Sequence, residues 1–187
     1  MGVNNIKIAS GKSKGLNLIS QKNDNLRPTK DRVKEALFNI IQFDIAGKNF
    51  LDLFGGTGQI GIEAFSRGAK NITIVDSNSE VIKLIKSNVS KIKSPHENIK
   101  IVKSDALSFL KNTNEIFDIV FLDPPYKSAD LLVSCLEILP KSVSKDPIII
   151  TETIIGESPQ FFSTCYSLKK TYKYGKMCLN LYENIKI

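Results

Sequence analysis

FLDLFGGTGQIG, residues 50–61, is an apolar run that stops at glycines and passes at once into a helical pattern. Residues 50–54 read as a buried strand, and residues 58–67 as a helix that Gly68 ends. Gly56, Gly58 and Gly61 form G-x-G-x-x-G at the junction. That spacing lets the backbone turn tightly and come close to a ligand. Downstream the alternation continues, with strands over 71–76, 99–104, 117–123 and 147–152 and helices over 79–89, 106–111 and 128–139. Two closing strands follow at 164–174 and 177–184. Continuous apolar strands separated by helices predict a parallel sheet covered on both faces, and right-handed crossovers make it a doubly wound α/β domain. Upstream, IKIA (6–9) and LNLI (16–19) flank the turn GKSKG, which reads as a short hairpin. In LRPTKDRVKEALFNIIQF (26–43), Thr29 can cap a helix over 30–42. Its apolar stripe is Val33, Ala36, Leu37, Ile40 and Ile41, with Lys30, Arg32 and Lys34 outside it. The expected organisation is a hairpin and basic extension over 1–28 and a Rossmann-like domain over 29–187.

In such sheets ligands bind at the C-terminal ends of the strands, near the point where strand order reverses. Asp76 ends the strand after the glycine loop and can accept hydrogen bonds from ribose hydroxyls. Loop and acid together indicate a cofactor containing adenosine, dinucleotides included. Asp52 separates the possibilities. A pyrophosphate disfavours a carboxylate beside it, whereas S-adenosylmethionine carries an ammonium and a sulfonium and no phosphate. The competing reading makes Asp52 a cap for loop amides.

FDIVFLDPPY, residues 117–126, ends the fourth strand of the domain with Asp123-Pro124-Pro125-Tyr126. Two prolines withdraw two amides from the ladder and stiffen the turn. An exocyclic amino group on a base is a weak nucleophile because its lone pair is delocalised into the ring. Two acceptors aimed at its hydrogens favour a pyramidal nitrogen, and the Asp123 carboxylate with the Pro124 carbonyl can supply them from a rigid turn. Tyr126 offers an aromatic face for an extruded base. Neither a metal nor a covalent enzyme intermediate is required.

The chain has 187 residues, enough for one domain with a substantial core, and 42% of them are hydrophobic. No run approaches the roughly 18–20 apolar residues of a membrane span, and MGVNNIKIASGKSKG lacks the apolar stretch of a secretory signal, so a cytoplasmic location is expected. The formal charge of +7 is uneven: residues 1–35 sum to +5, 36–168 to −2 and 169–187 to +4. Basic ends on a near-neutral body suit a polyanion, nucleic acid above all. Because 23 of the 26 basic residues are Lys, coding bias accounts for the same charge equally well. Cys135, Cys165 and Cys178 lack CxxC spacing and read as buried free thiols. His96, the lone histidine, reads as a solvated loop residue.

The chain resembles the RsmD family, bacterial methyltransferases of a guanine N2 amino group in small-subunit (16S) ribosomal RNA. The resemblance runs from about residue 6 to the C-terminus. It is carried by RPTKDRVKEALFNII (27–41), LDLFGGTGQIGIEAFSRGA (51–69), FDIVFLDPPY (117–126), the strand ending in Glu152, and Tyr174-Gly175. It implies a class I S-adenosylmethionine-dependent fold, with seven strands and the last antiparallel, behind a short N-terminal hairpin. It implies cofactor contacts at Asp52, Phe54, Gly55, Gly56, Gly58, Asp76 and Ser77, with Asp105 and Ala106 beside the adenine. Catalysis maps to Asp123, Pro124, Pro125 and Tyr126. Arg27, Thr29, Lys30 and Arg32, together with Lys12, Lys14 and Lys176, are the expected contacts to ribosomal RNA or a small-subunit ribonucleoprotein particle. A monomer without metal or membrane is expected. Ala9-Ser10 stands where the family often has paired glycines, Lys14-Gly15-Leu16 where G-R is usual, and Asp76 where Glu is frequent.

The nearest alternative is a DNA adenine or cytosine amino-methyltransferase, which shares the D-P-P-Y chemistry. Only seventy residues separate Asp52 from Asp123, all needed by the fold, which leaves no base-reading insertion. A glutamine methyltransferase resembles N-P-P-Y instead. A nicotinamide oxidoreductase would give Asp123–Tyr126 no task, and a non-catalytic RNA-binding module would need neither the turn nor the ribose acid.

Overall fold

The computed structural model describes residues 5–20, 27–125, 128–156 and 165–185. Among these, β1 (Asn5–Lys7) and β2 (Asn17–Ile19) pair as an antiparallel hairpin. Helix α1 (Arg27–Ile40) leads to β3 (Asn49–Asp52), α2 (Gln59–Ser66), β4 (Asn71–Asp76), α3 (Ser79–Val89) and β5 (Ile99–Lys103). Then come α4 (Ala106–Asn112), β6 (Phe117–Leu122), α5 (Ala129–Ile138), a 3₁₀ turn (Leu139–Ser142), β7 (Val143–Ile154), β8 (Tyr166–Tyr174) and β9 (Met177–Asn184).

The seven-stranded sheet has the order β5-β4-β3-β6-β7-β9-β8. The strands from β5 to β7 are parallel, and β9 runs antiparallel between β7 and β8. The doubly wound sheet with its closing antiparallel strand is the expected class. The chain leaves β3 toward β4 and returns to its other side as β6, so a crevice opens above the C-terminal ends of β3 and β6. Successive strand residues alternate between the faces. Phe50, Ile74, Phe121 and Ile150 face the hairpin and α1 to α3, while Leu51, Val75, Val120 and Ile149 face α4 and α5.

Several expectations need correction. Helix α1 starts at Arg27, so Thr29 lies in its first turn and does not cap it. Pro28 suits that position because a first-turn residue needs no amide for the helix ladder. Lys34, expected outside the apolar stripe, is 6% exposed. Its Nζ donates to the Lys7 carbonyl at 3.0 Å, since the hairpin lies over this part of α1. Strand β7 begins at Val143, ahead of the expected 147, and its register against β6 shifts between Phe117 and Ile119. Pro147 falls in that irregular stretch, where its missing amide breaks no regular ladder. Cys135 and Cys178 are buried, but Cys165 is only half-buried near the start of β8. His96 is half-buried, with Nδ1 2.9 Å from the Ser94 carbonyl.

Candidate active site

The glycine loop is built from the strand end upward. Asp52, the last residue of β3, is 1% exposed, and its Oδ2 accepts the Gly61 amide at 3.1 Å. Asp52 therefore does cap an amide, and it also lines the crevice, so the two sequence readings are compatible. Gly58 caps α2 in the left-handed region at φ 76°, which a side chain would disfavour. Asp76, at the end of β4, accepts the Gly56 amide at 3.2 Å and the Asn78 amide at 2.8 Å, so its carboxylate shapes the loop from the neighbouring strand. Ser77 is exposed beside it. One strand further out, Asp105 Oδ1 accepts the Ser108 amide at 2.9 Å and caps α4, whose first residue is the buried Ala106. That bond holds the Asp105 carboxyl below its ordinary range.

A cavity of about 360 Å³ is lined by Asp52, Phe54, Gly55, Gly56, Asp123 and Glu152, and α1 contributes Val33, Lys34 and Leu37. A second, of about 300 Å³, is lined by Asp123, Pro124, Pro125, Glu152, Ile154 and Met177 among others. The two share Asp123 and Glu152. Asp76, Ser77, Asp105 and Ala106 lie outside both linings, toward the β4 and β5 side. Tyr126 lies outside the described residues, as do the side chains of Arg27, Thr29 and Lys30. Arg32 is exposed on α1, and Lys176 is exposed in the turn before Met177.

Charge in the crevice is dominated by carboxylates. Burial pushes the Asp52 carboxyl up to about 7; the Gly61 bond opposes this, and the charges of Asp123 and Asp76 reinforce it. Among the described residues lining the larger cavity, Lys34 is the one cation. Gln59, the first residue of α2, also lines it, and its Nε2 is buried without a hydrogen-bond partner. Lys34, Gln59 and Glu152 were not among the site residues expected from sequence. Phe38, four residues beyond Lys34, is fully buried, and including it in the apolar stripe would have brought Lys34 to the stripe's border.

The family model described as "Conserved hypothetical protein 95" matches residues 6–183. "Ribosomal RNA small subunit methyltransferase D" of Haemophilus influenzae is 32% identical over 183 residues, covering 96% of this chain and 94% of that protein. Its Escherichia coli K12 counterpart is 30% identical, covering 97% and 91%. The chain belongs to the RsmD family. Among solved structures, "Putative methyltransferase yhhF from Escherichia coli" shares 27% identity at a TM-score of 0.84, covering 98% of this chain and all of that one. The structure described as "SMU.776, a putative methyltransferase complexed with SAH" shares the fold at 16% identity and a TM-score of 0.70, covering 83% of this chain and 49% of that one.

RsmD membership makes the chain a methyltransferase that uses S-adenosylmethionine. The donor set fits that cofactor. A buried carboxyl and its acidic neighbours favour a ligand with two cationic centres, and they would repel a pyrophosphate. The unpartnered Gln59 amide and the Lys34 ammonium suit its single carboxylate.

Proposed function

We propose that this chain transfers a methyl group to the exocyclic N2 amino group of a guanine in small-subunit ribosomal RNA. One observation carries the reading: two adjoining cavities share Asp123 and Glu152 at a D-P-P turn. A cofactor in one and a planar base in the other would meet at that boundary. When bound, S-adenosylmethionine supplies an electrophilic methyl on sulfur.

The chain's own groups do the rest by position. Asp52, with Phe54 and the backbone of Gly55, Gly56 and Gly58, holds the amino-acid end, and Lys34 and Gln59 take its carboxylate. Asp76 and Ser77 receive the ribose hydroxyls, and Asp105 and Ala106 flank the adenine. The Asp123 carboxylate and Pro124 carbonyl accept from the target amino group and orient its lone pair toward the donor. Pro125 stiffens the turn, and Tyr126 stacks on the base. As the nitrogen gains its methyl it gives up a proton, which Asp123 or water receives.

RNA as the substrate is supported by the names of the relatives and by the basic surfaces. Lys12 and Lys14 of the hairpin turn line a cleft with Lys91 and Lys93, and among the described residues no acid contributes to that lining. Arg27, Thr29, Lys30, Arg32 and Lys176 complete the proposed RNA contacts, with Arg32 exposed on α1 and Lys176 exposed in the turn between β8 and β9.

The test is incubation with labelled S-adenosylmethionine and undermodified small-subunit RNA or particles, followed by mass spectrometry of the digested nucleosides. N2-methylguanosine is expected. A methylated DNA adenine or cytosine in a parallel reaction would establish the DNA alternative, and no transfer to either nucleic acid would overturn the reading.

A further inference from the structure

We propose that the groove between α1 and the edge strand β8 is a stacking platform for single-stranded RNA beside the target nucleotide; this rests on the RNA-methylation reading above. The groove has a volume of about 620 Å³ and is lined by Arg32, Glu35, Asn39, Phe43, Tyr172 and Tyr174 among others. Phe43, in the turn after α1, is 91% exposed. A phenyl ring held in water forfeits the gain of burial, so it marks a surface on which something apolar can settle. Tyr172 and Tyr174 are half-buried along the same groove.

Charge selects the occupant. Residues 166–176 carry Lys169, Lys170, Lys173 and Lys176 and no acidic residue. Lys169 pairs with Glu183 at 3.2 Å. The Lys170 Nζ sits 4.6 Å from the Tyr172 ring centroid, a cation stacked on an aromatic face at the groove. Glu35 is the one acid among the described lining residues, and Arg32 lines the groove with it. Aromatic faces interleaved with cations suit unpaired nucleotides, whose bases stack while the phosphates meet Lys and Arg.

The groove is also continuous with the site. Tyr174 pairs with Met177 across β8 and β9, and Met177 pairs with Ile154 across β9 and β7. Ile154 and Met177 line the Asp123 cavity. This row of three residues spans roughly 10 Å, two strand spacings. A strand that delivers its base to Asp123 can therefore continue over Met177 onto Tyr174.

The test measures RNA affinity and methylation by the full chain, using protein-free small-subunit RNA and assembled particles. Phe43→Ser should weaken binding to protein-free RNA and raise its KM about tenfold, leaving kcat, cofactor affinity and Tm at wild-type values. Phe43→Trp, which keeps an aromatic face, should restore the wild-type KM. An unchanged KM and RNA affinity in Phe43→Ser, with wild-type methylation intact, would overturn the platform alone. So would a defect seen only on particles, which would assign the groove to a ribosomal protein. A wild-type dimer in sedimentation that Phe43→Ser dissolves would assign it to a second copy of the chain. If the wild-type chain methylates no RNA, the functional reading falls and the platform with it.

Discussion

A carboxyl group pushed up to about 7 in a cofactor crevice makes Asp52 sensitive to pH in the physiological range. Its ordinary value is 3.8, so the folded chain favours the protonated form, and between these values the native state holds more protons than the unfolded one. This contribution to the stability of the cofactor-free protein is complete below about pH 4 and is lost as pH rises through about 7. A cationic cofactor favours the ionised form, so binding expels a proton in the same window. Affinity for S-adenosylmethionine should rise between pH 6 and 8, and calorimetry in buffers of different ionisation enthalpy should register the released proton. Asp52→Asn should flatten that dependence. Lys34→Met should weaken S-adenosylmethionine roughly tenfold or more, the scale of a charge-assisted hydrogen bond. Methylthioadenosine, which lacks the carboxylate, should bind both proteins alike; equal losses for both ligands would mean that Lys34 acts only through the fold. Asp123→Ala should abolish methyl transfer in a labelled-methyl assay while the cofactor still binds.

The stretch EAFSRGA gains its meaning only as an element docked against another. Glu63 of α2 is fully buried; its carboxylate accepts the Ala9 amide at 2.8 Å and the Ser10 amide at 3.0 Å and pairs with Arg67 at 2.8 Å. Ser66 Oγ donates to the Ser10 carbonyl and accepts the Ser13 amide, so the hairpin is held through its backbone. Side chains at 9 and 10 make none of these bonds, which explains why Ala9-Ser10 can stand where the family has glycines. Gly11 is a stricter case, because a Cβ there would lie 1.8 Å from the Ser66 carbonyl oxygen. At the other end, Asn88 of α3 bridges Ile19 of β2 and the Thr57 carbonyl of the glycine loop. Glu63→Ala strands two amides and a guanidinium, and should cost about 3 kcal/mol in denaturant unfolding. Hydrogen exchange at Ala9 and Ser10 should accelerate in the same variant. Unaltered exchange there would contradict the clamp.

Across the whole molecule, the sheet places the acidic crevice on one side of its strand ends and leaves the basic surfaces outside it. Lys91 and Lys93, from the body of the chain, join Lys12 and Lys14 from the hairpin in one cleft, so positive charge is gathered from segments far apart in sequence. If that cleft follows an RNA backbone, Lys91→Glu with Lys93→Glu should weaken RNA binding and lower the slope of log K against log salt by about 1.5. Filter binding across a salt series measures both. An unchanged slope would remove the cleft from the RNA path.

The sequence alone determined what repeats or punctuates: the strand–helix alternation, the glycine loop, the D-P-P-Y turn and the acids at strand ends. These are local signals, because periodicity, backbone freedom and proline stiffness act within a few residues. The Pro147 irregularity in β7 and the burial of Lys34 were decided by neighbours distant in the chain. The tertiary structure alone seated Lys34 and Gln59 beside Asp52, joined two cavities at Asp123 and Glu152, and gave Glu63 its clamp on the hairpin. Each depends on residues of separate elements meeting in the folded chain, and no local pattern encodes the partner or the dielectric that such a meeting creates.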